Sequence, residues 1–404
     1  MVIGGGPAGM MAAGTAAQGG SSVLLLEKMS SLGKKLLITG QGRCNITNNL
    51  EAKKFIADCG LKARFLYGAL SRFGYESTLR FFEELGLKTK LERGGRYFPE
   101  SDSSRDVLEA LERYLAAGRA KVTTNARVTG IRKEREGFSV TAGTEVYRSN
   151  RLVIATGGKS YPGTGSAGDG YAWASDLGHS VSPLKPSDVP LNVKEDFVKE
   201  LQGLSLKNAE LTFARGSKKI KYFGEMLFTH YGISGPIVLD ASRVIGSWLD
   251  DGPVDCRLDL KPALDEETLN RRLQREIPAS GKKTFRIFIK EYLPAKLIPV
   301  FIKLCVIDGE LRVNQLNAGQ RKKVIELLKD IRFTVTGLRG FDEAVVTAGG
   351  VDPDQIDQAT MGSKKVKGLY FCGEILDLDG PCGGYNLQIA WSTGFLAGKS
   401  AGEK

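Results

Sequence analysis

"MVIGGGPAGMMAAGTAAQGGSSVLLLEK", residues 1–28, decides the fold. Gly4, Gly6 and Gly9 make G-x-G-x-x-G, followed by the helix-compatible "MMAAGTAA" and then by "SVLLLEK", an apolar strand closing on Glu27. Three glycines at this spacing carry little weight alone, but strand, glycine loop, helix, strand and carboxylate in this order are those of a βαβ dinucleotide-binding unit. Gly4 permits a tight turn, Gly6 the close approach of a pyrophosphate, and Gly9 close packing of helix on strand. The helix N-terminus offers unpaired N–H groups to the phosphates. Glu27, 18 positions beyond Gly9, stands where a carboxylate accepts hydrogen bonds from the adenosine ribose. Only three residues precede Gly4, whereas strands run to about 5–6, so the natural chain is expected to begin a few residues upstream.

The fingerprint does not separate NAD from FAD. "RLVIATGG" (151–158) is an apolar strand ending on Thr156, Gly157 and Gly158, after the strand-like runs "KVTTN", "ARVTGI" and "GFSVTA". It resembles the second segment of the glutathione-reductase-like FAD fold. "GLYFCGE" (368–374) resembles the third, in which an acidic residue after glycine reaches the ribityl chain, a role that falls by resemblance to Glu374 after Gly373. Gly383, Gly384, Asn386 and Leu387 would then open a helix whose N–H groups face the electron-rich end of the flavin. Disulfide chemistry is disfavoured, because Cys44 has no cysteine neighbour before Cys59. "GTGSAG" (163–168) repeats the glycine spacing, but Pro162 precedes it and no apolar strand leads in; it reads as a loop over the flavin.

The 404 residues suffice for two or three domains. Lys and Arg number 57 against 46 Asp and Glu, a net charge of +11 that permits RNA, anionic small molecules or no special partner. Six cysteines without zinc-ligand spacing and only two histidines, His179 and His230, argue against a metal. No signal-peptide pattern and no run of about 18 apolar residues is present. The reading is a soluble, cytoplasmic protein with no membrane partner.

Further stretches tighten the match: "KKLLITGQGRCNITN" (34–48), "SYPGTGSAGDGYAWASDLGH" (160–179), "GEMLFTHYGISGPIVLD" (224–240), "VTAGGV" (346–351), "TMGSKKVKGLYFCGE" (360–374) and "DGPCGGYN" (379–386). Together they resemble the BaiN/YhiN-like bacterial flavoproteins, also described as NAD(P)/FAD-dependent oxidoreductases. The resemblance spans nearly the whole chain and is weakest from about 255 to 340. It implies FAD, NAD(P)H as a transient co-substrate, and hydride exchange at flavin N5. Implied reactions include reduction of a conjugated dehydro-bile acid, dihydrouridine synthesis in ribosomal RNA, and oxidation of aminoacetone; a non-catalytic flavin module is a further alternative. To the cofactor residues named above it adds Pro7, Ala8, Lys28, Lys35, Gly42, Arg43, Cys44, Asn45, Thr47 and Val128. The oligomeric state stays open.

The expected fold is thus α/β: a discontinuous Rossmann-type FAD-binding domain (1–186 and 342–404) carrying insertions. The proline-bearing "SPLKPSDVPL" (182–191) is the exit. Residues 187–260 and 331–341 alternate as short strands and predict a β-rich, barrel-like subdomain on the substrate side. Residues 261–330 carry helical periodicity, with Asn317 and Gln320 at capping-box spacing. Residues 271–330 hold 14 Lys or Arg and 6 Asp or Glu, an excess read either as solvated helix faces or as a docking surface for RNA.

Three residues are candidates for proton transfer. Cys44 is either a small buried residue or, if it faces the flavin, a proton donor. His230 lies among Gly232, Ser234, Gly235 and Pro236, which suggests a turn; it is either an acid or substrate ligand, or a structural histidine. Tyr385 either faces the flavin or packs. Arg43 is a planar cation suited to a pyrophosphate, with Asn45 and Thr47 adding neutral hydrogen bonds. His179 reads as a helix-end residue.

Overall fold

Five short strands, β1 (Val2–Ile3), β2 (Leu24–Leu26), β3 (Lys121–Thr123), β4 (Leu152–Ile154) and β5 (Leu369–Phe371), form an all-parallel sheet in the computed structural model, which describes residues 1–403. Their spatial order is β5–β4–β1–β2–β3, with Val2 opposite both Leu25 and Val153. Near-continuous apolar runs such as "VLLL" and "LVIA" are what a sheet covered on both faces requires. The sheet belongs to the first of two units, residues 1–187 together with the chain from Phe341 onward. The same unit holds a three-stranded antiparallel sheet (Val128–Lys133, Phe138–Ala142, Glu145–Ser149) and another built from Thr47–Asn48, Arg96–Pro99 and Thr89–Glu92.

Helix α1 (Pro7–Gln18) follows β1, and helix α2 (Asp169–Asp176) follows the loop after β4. The final helix, α3 (Tyr385–Gly402), lies against α1 through a stripe of small residues. A Cβ on Gly394 would stand 2.5 Å from the Ala8 carbonyl oxygen, one on Gly398 would collide with Ala12, and one on Gly402 would stand 3.1 Å from Ala16 Cα. Glycines four apart on one helix meet alanines four apart on the other, so the two backbones come together. Gly398→Val is expected to cost about 2 kcal/mol by overpacking, read by urea denaturation; an unchanged midpoint would mean the helices do not meet this closely.

The second unit, Asp188–Gly340, contains a closed barrel of six strands in the order Leu191–Val193, Gly232–Ser234, Lys218–Phe228, Ser205–Arg215, Val254–Asp259, Ile331–Leu338. It closes where Leu191 meets Leu338. Alternation along "VDCRLD" puts Val254, Cys256 and Leu258 inside and leaves Asp255 and Arg257 exposed. Between the last two strands in sequence lie four helices, Glu266–Ala279, Phe285–Phe288, Ile298–Cys305 and Ala318–Lys329. Asp265 caps the first by accepting from Thr268 N at 2.7 Å, and Asn317 with Gln320 forms a reciprocal capping box on the last. Phe285, Phe288, Tyr292 and Phe301 are buried and share one apolar cluster with barrel residues such as Phe213 and Phe333.

Candidate functional site

The carboxyl ends of β1, β2, β4 and β5 open into one cleft, the place where doubly wound sheets take their ligands. Its empty space, mouth included, is about 1280 Å³. It is lined after β1 by Gly4, Gly5, Gly6, Pro7 and Ala8, after β2 by Glu27 and Lys28, after β4 by Thr156 and Gly157, and after β5 by Gly373 and Glu374. Lys35, Val128, Asn386 and Leu387 complete the expected residues that line it.

The glycine loop shows a division of labour. A Cβ on Gly4 would strike the Ala155 carbonyl, and one on Gly9 would overlap the Gly4 carbonyl oxygen; these two glycines are demanded by the protein's own packing. Gly6 differs: a Cβ there meets nothing within 4 Å, and its backbone (φ −81°, ψ −177°) is one any residue adopts. Gly6 caps α1 without any side-chain hydrogen bond, and Pro7 occupies the first helical position, so the helix N-terminus is open to an anion.

Glu27 is 9% exposed, and both oxygens are held by backbone: Gly5 N donates to Oε2 at 2.6 Å and Met29 N to Oε1 at 2.7 Å. Each oxygen keeps a lone pair for a ribose hydroxyl. Two ion pairs cross the cleft lining, Lys28 with Asp169 at 2.5 Å and Lys35 with Glu374 at 2.7 Å. Glu374 also accepts from Thr347 N at 2.9 Å, which fastens the third segment to the strand Val346–Ala348. Thr156 Oγ1 and Ser166 Oγ are buried with no hydrogen-bond partner. Such orphaned hydroxyls are costly unless a ligand satisfies them. Open N–H groups, a fixed carboxylate and unsatisfied hydroxyls at the ends of parallel strands fit a dinucleotide such as FAD.

Asn386 holds the loop before α3 rather than pointing freely: its side chain accepts from Gly380 N at 2.9 Å and donates to Gly380 O at 2.7 Å. Gly384, at φ +95°, is the N-cap of α3, and a Cβ there would lie 2.6 Å from the Thr47 carbonyl carbon.

Other expected residues do not line the cleft. Gly9 and Gly158 pack closely against the protein's own atoms, and Gly383 and Gly384 belong to the loop that opens α3. Gly158 stands against Thr347, where a Cβ would meet Cβ at 2.7 Å. The loop "GQGRCN", absent from the lining, runs through left-handed residues, Gly40, Gln41, Gly42 and Cys44, the last at φ +60°. Arg43 is engaged by Glu92 and Asp102 and lies over the Phe98 ring at 4.1 Å, so its expected pairing with a pyrophosphate is replaced by protein carboxylates. Asn45 Oδ1 is buried without a partner, outside the cleft lining. Thr47 is fully buried and donates to Gln388 Oε1 at 2.5 Å, a structural bond. Cys44 is 0% exposed, and burial pushes its thiol up to about 12. A thiol so placed neither meets solvent nor ionises near neutrality, which corrects the idea of it as a donor facing the flavin. Iodoacetamide at pH 8 is therefore expected to leave Cys44 unmodified and to label the exposed Cys382, as peptide mass mapping would read; labelling of Cys44 would contradict its burial.

Tyr385 is likewise corrected: its hydroxyl donates to Asp58 Oδ2 at 2.8 Å and its ring packs on Phe55 at 4.8 Å. His179 is buried at the end of α2 beside Ser363 Oγ at 2.7 Å and edge-on to Phe371; burial lowers its pKa. His230 belongs to the second unit, exposed in the turn after Lys218–Phe228, with its ring 4.7 Å from that of Tyr231. Thr164, Gly165 and Ser166 of the "GTGSAG" loop line the cleft, and Asp169 and Trp173 line it unforeseen. Their signal lay in "SAGDGYAW", where serine and aspartate bracket a helix start after an apolar strand ending on glycines.

Comparison with known proteins covers the whole chain. The family described as HI0933-like protein Rossmann domain matches residues 1–400. A 3-dehydro-bile acid delta(4,6)-reductase of Clostridium scindens is 37% identical over 407 aligned positions, covering 100% of this chain and 98% of the relative. A ribosomal RNA dihydrouridine synthase of Escherichia coli is 32% identical over 398 positions, covering 97% and 95%. Among solved structures, a 3-ketosteroid-delta4-(5alpha)-dehydrogenase of Rhodococcus jostii RHA1 in complex with 4-androstene-3,17-dione aligns with a TM-score of 0.51 at 14% identity, covering 100% and 96%; it bears on the fold alone.

Proposed function

The chain belongs to the HI0933-like family of FAD-binding oxidoreductases, and from that premise we propose that it is an FAD-dependent reductase which passes hydride from NAD(P)H to an electron-poor C=C bond. The observation that carries this reading is the pair of full-length relatives. One is named for reducing a dehydro-bile acid and the other for making dihydrouridine, and both names describe saturation of a C=C bond conjugated to a carbonyl.

When bound, FAD supplies an electron store that accepts and delivers hydride at one ring atom. The chain's part is binding and orientation. The open N-terminus of α1 and Gly6 take the pyrophosphate, Glu27 the adenosine ribose and Glu374 the ribityl hydroxyls. The amides at the start of α3, from Gly384 to Leu387, stabilise negative charge on the pyrimidine end. Lys35 would be freed from Glu374 to reach a phosphate or the ribityl chain.

His230, an exposed imidazole in a glycine-bearing turn, is a candidate acid or substrate ligand. His230→Gln is expected to lower turnover about 100-fold with flavin content unchanged; unaltered turnover would remove it from the mechanism. The donor is tested by anaerobic addition of NADH or NADPH to the purified holoprotein. Bleaching of the visible flavin band supports a nicotinamide donor, and a band unchanged by either counts against one.

Reduction of uridine in ribosomal RNA is the second reading, favoured by the Escherichia coli relative and by the cationic helices. Many of those cations have partners within the unit. Arg272 and Arg275 share Glu276, Lys283 meets Glu291, Arg286 meets Glu310 and Lys303 meets Glu200. Each such pair is neutral, so the excess of cations in 271–330 lies on the other Lys and Arg side chains of the segment.

A further inference from the structure

We propose that Arg96 is a specificity residue that receives an anionic group of the substrate, a carboxylate or a phosphodiester. The inference rests on the reading of the Gly384–Leu387 end of the cleft as the reacting end of the flavin.

Arg96 opens the second strand of the hairpin Thr89–Glu92 and Arg96–Pro99, whose turn contains Gly94 and Gly95 at φ +80° and +75°. It stands opposite Asn48. Asn48 is 6% exposed and donates from Nδ2 both to Gly94 O at 3.2 Å and to Gly383 O at 3.1 Å. One buried amide therefore fixes the hairpin tip against the loop that opens α3. Above that latch, the Arg96 stem lies over Gly383: a Cβ built on Gly383 would be 4.0 Å from Arg96 Cδ.

Charge separates Arg96 from its neighbours. Arg43 is compensated by Glu92 and Asp102, and Lys90 by Asp102 at 2.6 Å. Arg96 makes no ion pair among the described residues. Its Nε donates to Arg93 O at 3.0 Å, which holds the guanidinium plane and leaves both terminal nitrogens free in an exposed residue. A guanidinium so oriented offers the parallel donors that carboxylates and phosphates accept in pairs. The positive end of α3, one residue beyond Gly383, adds field of the same sign. A bile acid presents a carboxylate and an RNA presents phosphodiesters, so one site chemistry serves either source.

The test compares holoprotein carrying Arg96→Gln or Arg96→Lys with wild type in equilibrium calorimetry. The probes are a 3-oxo-4,6-diene bile acid, its neutral methyl ester, and a uridine-containing ribosomal RNA fragment at several salt concentrations. If the anion is a carboxylate, wild type binds the acid more tightly than the ester; Arg96→Gln weakens the acid by about 30-fold, leaves the ester unchanged, and Arg96→Lys restores part. If it is a phosphodiester, Arg96→Gln weakens the RNA and lowers the salt slope by about one. The proposal is overturned if Arg96→Gln alters neither acid nor RNA binding, including the case in which wild type binds none of the three, or if it weakens acid and ester alike. Flavin content and bleaching by NAD(P)H, measured on the same samples, report on the cofactor reading separately.

Discussion

Gly6→Ala is expected to fold like wild type and to purify without flavin, whereas Gly9→Ala is expected to fail to fold. A methyl on Gly6 enters open space in the cleft and needs no unusual backbone, so the melting temperature of the apoprotein should not move. The same methyl stands where the pyrophosphate must approach the α1 amides. Loss of that approach should weaken FAD by about 100-fold or more, since it removes hydrogen bonds to a charged group. On Gly9 the methyl would overlap the Gly4 carbonyl oxygen, a backbone atom that cannot yield without opening α1 from β1. A cost above about 4 kcal/mol places such a change among the most severe single substitutions. Flavin absorbance per protein and thermal melts of both variants read the contrast. If Gly6→Ala retains stoichiometric flavin, the cleft does not hold a dinucleotide in this way.

The second large effect lies behind the cleft wall. Gln388 on α3 is 1% exposed and accepts at Oε1 from Thr47 and from Thr78 at 2.5 and 3.0 Å, while its Nε2 donates to Phe73 O and Ser392 Oγ at 3.0 and 2.9 Å. Gln388→Leu keeps the volume and strands the buried Thr47 hydroxyl, whereas Thr78 Oγ1 can still donate to Gly74 O at 3.1 Å and Phe73 O still accepts from Ser392 Oγ at 2.6 Å. At about 1–3 kcal/mol for a buried group left unsatisfied, a loss of about 2 kcal/mol is expected in urea denaturation. A loss below about 1 kcal/mol would show that the network relaxes around leucine.

These cases mark what could be read from residues alone. The first nucleotide half-site was legible because strand, loop, helix and carboxylate are consecutive and the glycines act locally. The barrel was legible because alternation in "AELTFARG" and "IRFTVTGLR" is a period, not a contact. Arg43, Thr47 and Tyr385 were read toward the cofactor from residue type and motif, but each is satisfied by groups remote in the chain: Arg43 by Glu92 and Asp102, Thr47 by Gln388, Tyr385 by Asp58. Partner choice of that kind is set by tertiary packing. The stripe of Gly394, Gly398 and Gly402 against Ala8, Ala12 and Ala16 was present in the sequence as two four-residue spacings. Its meaning required knowing that the first and last helices touch.

A C=C reductase must reoxidise its reduced flavin with an unsaturated acceptor in the absence of oxygen. The flavin is reduced, then mixed with a 3-oxo-4,6-diene steroid acid, with ribosomal RNA lacking dihydrouridine, or with buffer, and the visible band is followed while products are identified by mass. Fast return of the oxidised band is expected with one of the two acceptors, together with a product heavier by two hydrogens. A flavin that stays reduced with both, yet reoxidises with oxygen while aminoacetone reduces it, would contradict a C=C reductase and leave an amine oxidase in its place.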